Sequence, residues 1–333
     1  MIATVDVVVV GAGPAGAVAA LNLARGRAVL LVERRDRVVR IGESLVPAAR
    51  GLLADMGLLA ALEAGGHAPW FGNHVRWGAE DGVDVDFLRG PDGPGWHLDR
   101  ARFETWLQRE AVARGARLVR ASVGDLQREG PGWRLTLTGR GGAGELRARA
   151  VIDAGGRSSP VSRRLGARRT IDERLVCGWA HGLGDGPGQT TLVAEPDGWW
   201  YSAPLPAGRC VLAFHTDADL PAAHDARDAS RLLARAAAVP QLASILARTD
   251  FTGPVVAGVA PAHGAVLEPF AGPGWAAVGD AALGFDPLSS QGLFNALYTG
   301  LAAAEAVARH LDGDPSGLAD YAHQLADVRA AYL

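Results

Sequence analysis

The sequence predicts an α/β protein: a parallel-sheet domain of βαβ type, cut into pieces by an inserted domain built on an antiparallel sheet. Three observations carry this. A continuous apolar run, Thr4–Val10, passes directly into the glycine-rich turn Gly11-Ala12-Gly13-Pro14-Ala15-Gly16, and an apolar strand without alternation is one buried on both faces. Runs of the same type return at Ala150–Ala154 and Trp275–Val278. Between those two, from Leu175 to Pro261, the strands alternate apolar and polar residues, the period of a sheet with two different faces.

The elements follow in order. After the Gly11 turn, the small residues of Pro14–Ala24 predict a helix that packs closely, and Ala28–Glu33 is a second buried strand. Ile41–Pro47 reads as a loop and Ala48–Ala64 as a helix. Trp70–Leu88 alternates and contains turns, an excursion of antiparallel strands. Arg100–Arg114 is a helix, Arg117–Ser122 a strand and Trp133–Thr138 an alternating strand, with a hairpin turn at Gly139–Gly144. A helix at Ala229–Leu246 interrupts the alternating region, and Leu293–His310 is a long final helix. These elements divide the chain into a discontinuous domain (1–70, 95–170 and 262–333) and an inserted substrate domain (71–94 and 171–261).

Composition narrows the chemistry. The 333 residues carry a net charge of −3 at a pI near 6.3, which offers nothing to a nucleic acid. All 33 basic residues are arginine, so no lysine amine can act as acid, base or Schiff-base nucleophile. Cys177 and Cys210 lack metal-ligand spacing and read as unbridged thiols of a reducing compartment, with no metal expected. The apolar start contains Asp6, lacks a basic leader and runs into the Gly11 turn, so it reads as a strand rather than a signal segment. No other apolar run reaches membrane-spanning length without a charge, Gly or Pro. A cytoplasmic protein without a membrane partner is expected.

Gly11-Ala12-Gly13-Pro14-Ala15-Gly16 fits G-x-G-x-x-G between a strand and a helix. Gly11 permits the tight turn, Gly13 lets a pyrophosphate approach the backbone, and Gly16 lets helix and strand pack closely. The helix that opens at Pro14 and Ala15 offers free amides and a partial positive charge to phosphate. Glu33 ends the next strand, where a carboxylate accepts the hydroxyls of an adenosine ribose and disfavours a 2′-phosphate; Arg34 is grouped with it. The dinucleotide is FAD or NAD, and the far end of the chain decides. Ala277-Val278-Gly279-Asp280 follows a short strand and leads through Asp286-Pro287-Leu288-Ser289-Ser290-Gln291-Gly292-Leu293 into a long helix. This resembles the second FAD fingerprint of the glutathione-reductase-type flavoproteins, implying an FAD-binding Rossmann-like domain that holds FAD non-covalently. By that resemblance Gly279 and Asp280 meet the flavin-side ribose. Pro287, Ser290, Gln291, Gly292 and Leu293 bring a helix N-terminus to the ring, where amide dipoles stabilise negative charge.

Three further segments resemble flavin hydroxylases and halogenases. Asp153, with Gly155, matches their shared Asp-Gly element. Arg100 resembles the arginine that opens a helix beside the FAD pyrophosphate, and Val123 sits where such enzymes touch adenine through backbone. Ile41-Gly42-Glu43-Ser44-Leu45-Val46-Pro47 resembles the G-E-x-x-x-P loop of the tryptophan halogenases, putting Glu43 and Ser44 at the flavin or in a loop that merely packs on it. Trp199-Trp200-Tyr201-Ser202-Ala203-Pro204 stands where halogenases carry W-x-W-x-I-P, but departs at two positions. Halogenases also relay hypohalous acid through a lysine, which this chain lacks. The resemblance therefore favours a monooxygenase of the tryptophan-halogenase-like and p-hydroxybenzoate-hydroxylase-like superfamily. Phe71–Gly78, Gly95–Arg100 and Asp286–Gly292 are similar to the branch that oxygenates a peptidyl tryptophan in quinone cofactor (cysteine tryptophylquinone) biogenesis. Many members of that branch continue past this chain's end, which implies a more open substrate site.

The activity implied is hydroxylation of an indole or phenol ring, in a small molecule or a partner polypeptide, through a C4a-hydroperoxyflavin formed with O2. No second dinucleotide motif appears, so either NAD(P)H docks transiently or a separate flavin reductase supplies electrons. His97 is the first acid/base candidate, with Glu43 beside it; a hydrogen-bonded structural histidine is the alternative. His74, His215, Trp199, Tyr201 and Ser289 are candidate substrate-pocket residues, aromatics on an alternating strand being otherwise core. The competing activity is reduction of carbon–carbon double bonds, as in the geranylgeranyl reductases, which share this pattern.

Overall fold

The computed structural model describes residues 3–34, 41, 43–78, 81–139, 142–184, 189–251 and 257–333. Strand Ala3–Val10 lies at the centre of a parallel sheet. It pairs in parallel with Val29–Glu33 on one side and with Gly142–Asp153 on the other. Trp275–Ala277 extends the second side and Arg117–Glu129 the first, both in parallel. Val7, Val8 and Val9 are completely buried, as their unbroken apolar run requires. Four of these strands therefore stop along one edge, at Val10, Glu33, Asp153 and Ala277, the edge where open α/β sheets bind ligands. Gly132–Gly139 runs antiparallel and joins Arg117–Glu129 to Gly142–Asp153.

A second, larger sheet carries the strands from 175 onward. Gly198–Leu205 and Arg209–Asp217 form its middle, flanked by Leu175–Gly184 and Thr190–Glu195. The excursion strands Gly72–Arg76 and Val83–Asp86 complete it at the Thr190–Glu195 side. One face packs Trp200, Leu212 and Phe214 against Leu232, Ala236, Leu242 and Ile245 of the helices behind it. The opposite face presents Trp199, Tyr201, Ala213 and His215 toward the parallel sheet, because adjacent residues of a strand point to opposite faces.

Mixed α/β architecture is as the sequence predicts; several boundaries differ. Ala48–Ala64 is two helices, Ala49–Asp55 and Leu59–Glu63, because Gly57 turns left-handed at φ +69°. Ala229–Leu246 is likewise two, Ala229–Ala237 and Pro240–Leu246; Pro240 holds Val239 extended and donates no amide. Within the supposed loop Ile41–Pro47, Glu43–Leu45 forms a strand against Gly95–Leu98, too short to carry a period of its own. Arg117–Ser122 continues to Glu129 through a register shift between Val123 and Leu126. A C-terminal helix, Gly317–Tyr332, was not foreseen, although its buried Leu318, Tyr321 and Leu325 have helical spacing.

Helix Pro14–Leu23 is clamped between the parallel sheet and the long helix Gly292–Leu311. A Cβ on Gly16 would stand 1.9 Å from the Gly11 carbonyl oxygen, and one on Gly300 would stand 2.5 Å from the Ala15 carbonyl oxygen. Backbone cannot yield as a flexible side chain can. Replacing Gly300 with Val should cost about 3 kcal/mol, the upper end for overpacking, read as a lowered midpoint of denaturant unfolding.

Candidate active site

A cavity of about 320 Å³ runs from the edge of the parallel sheet to the face of the larger sheet that carries Trp199, Tyr201 and His215. Its lining brings together Gly13, Pro14 and Ala15 of the first glycine turn, Gly279, Asp280, Pro287, Ser290, Gly292 and Leu293 of the second, and an aromatic end formed by Trp199, Tyr201 and His215 of the larger sheet. The fold thus joins in one space the two glycine turns and the aromatic strand that the sequence carries far apart.

The walls suit a dinucleotide. A Cβ added at Gly13 or Gly292 would meet nothing within 4 Å, so at both helix starts the backbone is open to the cavity. Neither helix has an acidic residue in its first turn, leaving the terminal amides and dipoles available to an anion. Gly11 and Gly16 act behind the wall: a Cβ on Gly11, at φ +108°, would stand 2.2 Å from the Ala154 carbonyl oxygen. Glu33 accepts from the Ala12 amide at 2.9 Å, which fixes its carboxylate beside the turn. Arg34 is exposed at the same strand end. Asp280 faces the cavity and has Arg157 Nε 3.4 Å from its carboxylate. Arg100 lines the cavity with its guanidinium held by Glu104 at 2.7 Å.

Other sequence-derived candidates have different positions. Asp153 is completely buried, and its carboxylate accepts from the amides of Gly155, Val161 and Ser162 and from the Ser162 hydroxyl at 2.7–3.0 Å. Burial pushes its pKa up while these bonds oppose the rise. It shapes the turn behind the cavity rather than contacting it. Gly155 packs against Pro160, where a Cβ would stand 2.2 Å from Cδ. The Val123 carbonyl accepts from Arg164 at 3.3 Å. Gln291 is exposed and Ser289 donates to the Asp286 carbonyl, both just outside the lining. His74 lies outside the cavity lining and pairs with Asp84 at 2.8 Å on the outer hairpin, its side chain falling on the opposite face from Val75. The Glu43 side chain lies outside the described residues.

The aromatic end holds two arrangements. Trp199 and His215 stack with ring centroids 3.8 Å apart and planes 6° apart, following from their direct cross-strand pairing. Burial lowers the His215 pKa to about 3, so the imidazole is neutral. The second arrangement is a hydrogen-bonded chain. Tyr201 Oη and Ser44 Oγ are 2.9 Å apart, and Ser44 Oγ is 2.9 Å from His97 Nδ1. Ser44 and Tyr201 line the cavity; His97 is completely buried behind them, its pKa lowered to about 4 by that burial. His97 thus reaches the cavity only through Ser44. Arg157, Phe285 and Cys177 also line it and were not singled out. Cys177 pairs directly with His215 and shares its face of the sheet; no motif in the sequence marks it.

The fold and these two helix-terminal sites define an FAD-dependent oxidoreductase. The chain belongs to the FAD-binding domain family, whose description matches residues 4–333. It is 31% identical over 328 residues to a menaquinone reductase of Mycobacterium tuberculosis, spanning 90% of this chain and 76% of that protein. Among solved structures, it is similar to the myxobacterial chondrochloren halogenase CndH, with 28% identity, a TM-score of 0.86, and 96% and 78% of the two chains covered. It is also similar to the peptidyl tryptophan dihydroxylase QhpG, with 25% identity, a TM-score of 0.76, and 98% and 72% covered. No helix among the described residues is long and apolar enough to cross a membrane.

Two outcomes follow from this geometry. Gly13→Val should leave the thermal midpoint of the apoprotein nearly unchanged, because the new side chain enters open space, yet weaken FAD retention at least tenfold in a fluorescence titration. Acidification should destabilise the fold. The unfolded chain takes up protons below the ordinary histidine pKa of 6.5, whereas folded His97 refuses them until about 4. The stability present above pH 6.5 is therefore lost as pH falls toward 4, by up to about 3 kcal/mol for this group. His97→Asn should flatten that part of the stability-versus-pH curve.

Proposed function

We propose that the protein is an FAD-dependent monooxygenase that hydroxylates an electron-rich aromatic ring, an indole or a phenol, with a tryptophan side chain in a partner polypeptide as the leading candidate. The observation that carries this reading is the continuity of one cavity from the open helix starts at Gly13 and Gly292 to the aromatic face of Trp199, Tyr201 and His215. FAD, held non-covalently and reduced either by NAD(P)H or by a separate flavin reductase, supplies activation of O2. Gly13, Glu33, Arg100, Gly279, Asp280 and the Gly292 helix start are the residues to hold it.

The chain's own groups then position the ring and manage a proton. Trp199 presents a flat wall at the aromatic end of the cavity, stacked on His215 and so kept in one orientation. Neutral imidazole beneath it adds no cation to repel or trap a charged ring. With the His97 proton on Nε2, Nδ1 accepts from Ser44, whose oxygen accepts from Tyr201, leaving the phenol oxygen to accept from a substrate N–H or O–H. With the proton on Nδ1 the chain reverses, and Tyr201 donates into the cavity. In either direction the neutral His97, shielded from water, sets whether the Tyr201 oxygen meets the substrate as acceptor or as donor. The absence of lysine from the whole chain supports oxygenation over halogenation, as does the departure of Trp199–Pro204 from the halogenase motif. A peptidyl substrate is favoured by the likeness to QhpG. Similarity to a menaquinone reductase and to a digeranylgeranylglycerophospholipid reductase supports the second reading, a flavin-dependent reductase of carbon–carbon double bonds.

The test is to supply reduced holoenzyme with ¹⁸O2 and an indole-bearing peptide, and to weigh the product. One ¹⁸O per hydroxylated ring supports oxygenation; turnover that proceeds without oxygen and adds only hydrogen supports the reductase instead. Tyr201→Phe should lower kcat about tenfold to a hundredfold and leave FAD affinity unaltered.

A further inference from the structure

The larger sheet continues past the cavity, and what it carries there is unlike the rest of the surface. Among the described residues, twelve large apolar side chains are exposed, and five of them, Phe71, Trp77, Val83, Val85 and Leu88, fall between positions 71 and 88. Such a concentration marks an interaction surface rather than scattered apolar exposure.

The strand register connects this patch to the cavity. Tyr201, which lines the cavity, pairs directly with Leu192; Leu192 pairs with Val75; and Val75 pairs with Val83. Directly paired residues present their side chains on the same face of a sheet. These four residues therefore form one cross-strand row on the face that bounds the cavity. Burial falls along it: Tyr201, Leu192 and Val75 are half-buried, and Val83 is 63% exposed. Val85, two residues on, shares that face and is 44% exposed. A small aromatic molecule filling the cavity would leave the outer half of this row uncovered, so the row suits a larger occupant.

Building on the peptidyl-substrate reading above, we propose that the row from Tyr201 through Leu192 and Val75 to Val83 and Val85 docks an extended segment of the polypeptide whose aromatic side chain enters the cavity. The row crosses three interstrand spacings of about 4.8 Å, or about 14 Å. An extended chain advances about 3.4 Å per residue, so the contact over Val83 falls about four residues from the modified aromatic. That residue should be apolar. Specificity then resides in spacing: the cavity recognises a ring, and the outer row recognises an apolar neighbour at a fixed distance.

The experiment is a binding selection on the FAD-loaded protein, using randomised peptides of about fifteen residues with one fixed central tryptophan. The expected result is a set of binders enriched in an apolar residue about four positions from the tryptophan. Their affinity should fall at least tenfold on the Val83→Asp, Val85→Asp double variant, whose FAD absorbance and thermal midpoint stay as in the parent. Val83→Thr with Val85→Thr, a milder change at the same exposed sites, should show a smaller loss and provides the comparison if the aspartates impair folding. Equal binding by the variants, an absence of selectable binders, or a parent that self-associates through this hairpin and dissociates in the aspartate variant would each overturn the proposal. Selection reads binding without turnover. Peptides that bind at this row but gain no ¹⁸O would remove the oxygenase reading and leave the docking surface standing.

Discussion

Close approach of backbone to backbone around Ala15 is the constraint on which the rest of the site depends. The first helix can begin at the sheet edge only because Gly11 and Gly16 carry no Cβ, and the final long helix can cross it only because Gly300 carries none. Gly279 completes the arrangement, with Ala15 Cβ 2.9 Å from where its own Cβ would stand. Two helix starts, at Pro14 and Gly292, are thereby brought to the same cavity. A single helix terminus offers weak, easily screened attraction for an anion; two that open on one cavity, with the Asp280 carboxylate beside them, offer a long polar ligand several points of contact. The small residues that lower the helix's capacity to bury surface are what permit this proximity.

Much of this was legible in the sequence, and for identifiable reasons. Buried parallel strands announce themselves as unbroken apolar runs, and the turn after the first has a glycine at every position where backbone meets backbone or ligand. What the sequence could not convey was how side chains are employed once folded. Asp153 belongs to a recognisable element, yet its carboxylate is consumed by three amides and a hydroxyl behind the wall. His74 and His215 looked equivalent as histidines on alternating strands, but one faces outward to Asp84 and the other stacks on Trp199. Parity along a strand separates them, and parity needs a register that only pairing supplies. His97 was selected as a proton-handling group; its separation from the cavity by Ser44 could not be read from spacing, since the intervening contact joins residues 53 positions apart.

The aromatic end illustrates a division between rigidity and reactivity. Trp199 and His215 hold each other flat, and their burial keeps the imidazole uncharged. Tyr201 and Ser44 are instead linked by hydroxyl groups whose hydrogens can reverse direction without moving a heavy atom. A site that must hold a ring still while allowing a proton to leave benefits from having these two behaviours on neighbouring side chains of one sheet face.

The helix Gly317–Tyr332 has a consequence for how the site is assembled. Tyr321 donates to the Ala277 carbonyl at 2.6 Å, and the Asp286 amide donates to Tyr332 Oη at 3.0 Å. Both contacts brace the segment that carries Gly279, Asp280 and Pro287. The first glycine turn, Gly11–Gly16, lies far away in sequence from the residues that brace the second. The two halves of the site are therefore a long-range assembly, and the second keeps its shape only while a helix remote from both glycine turns stays packed against it.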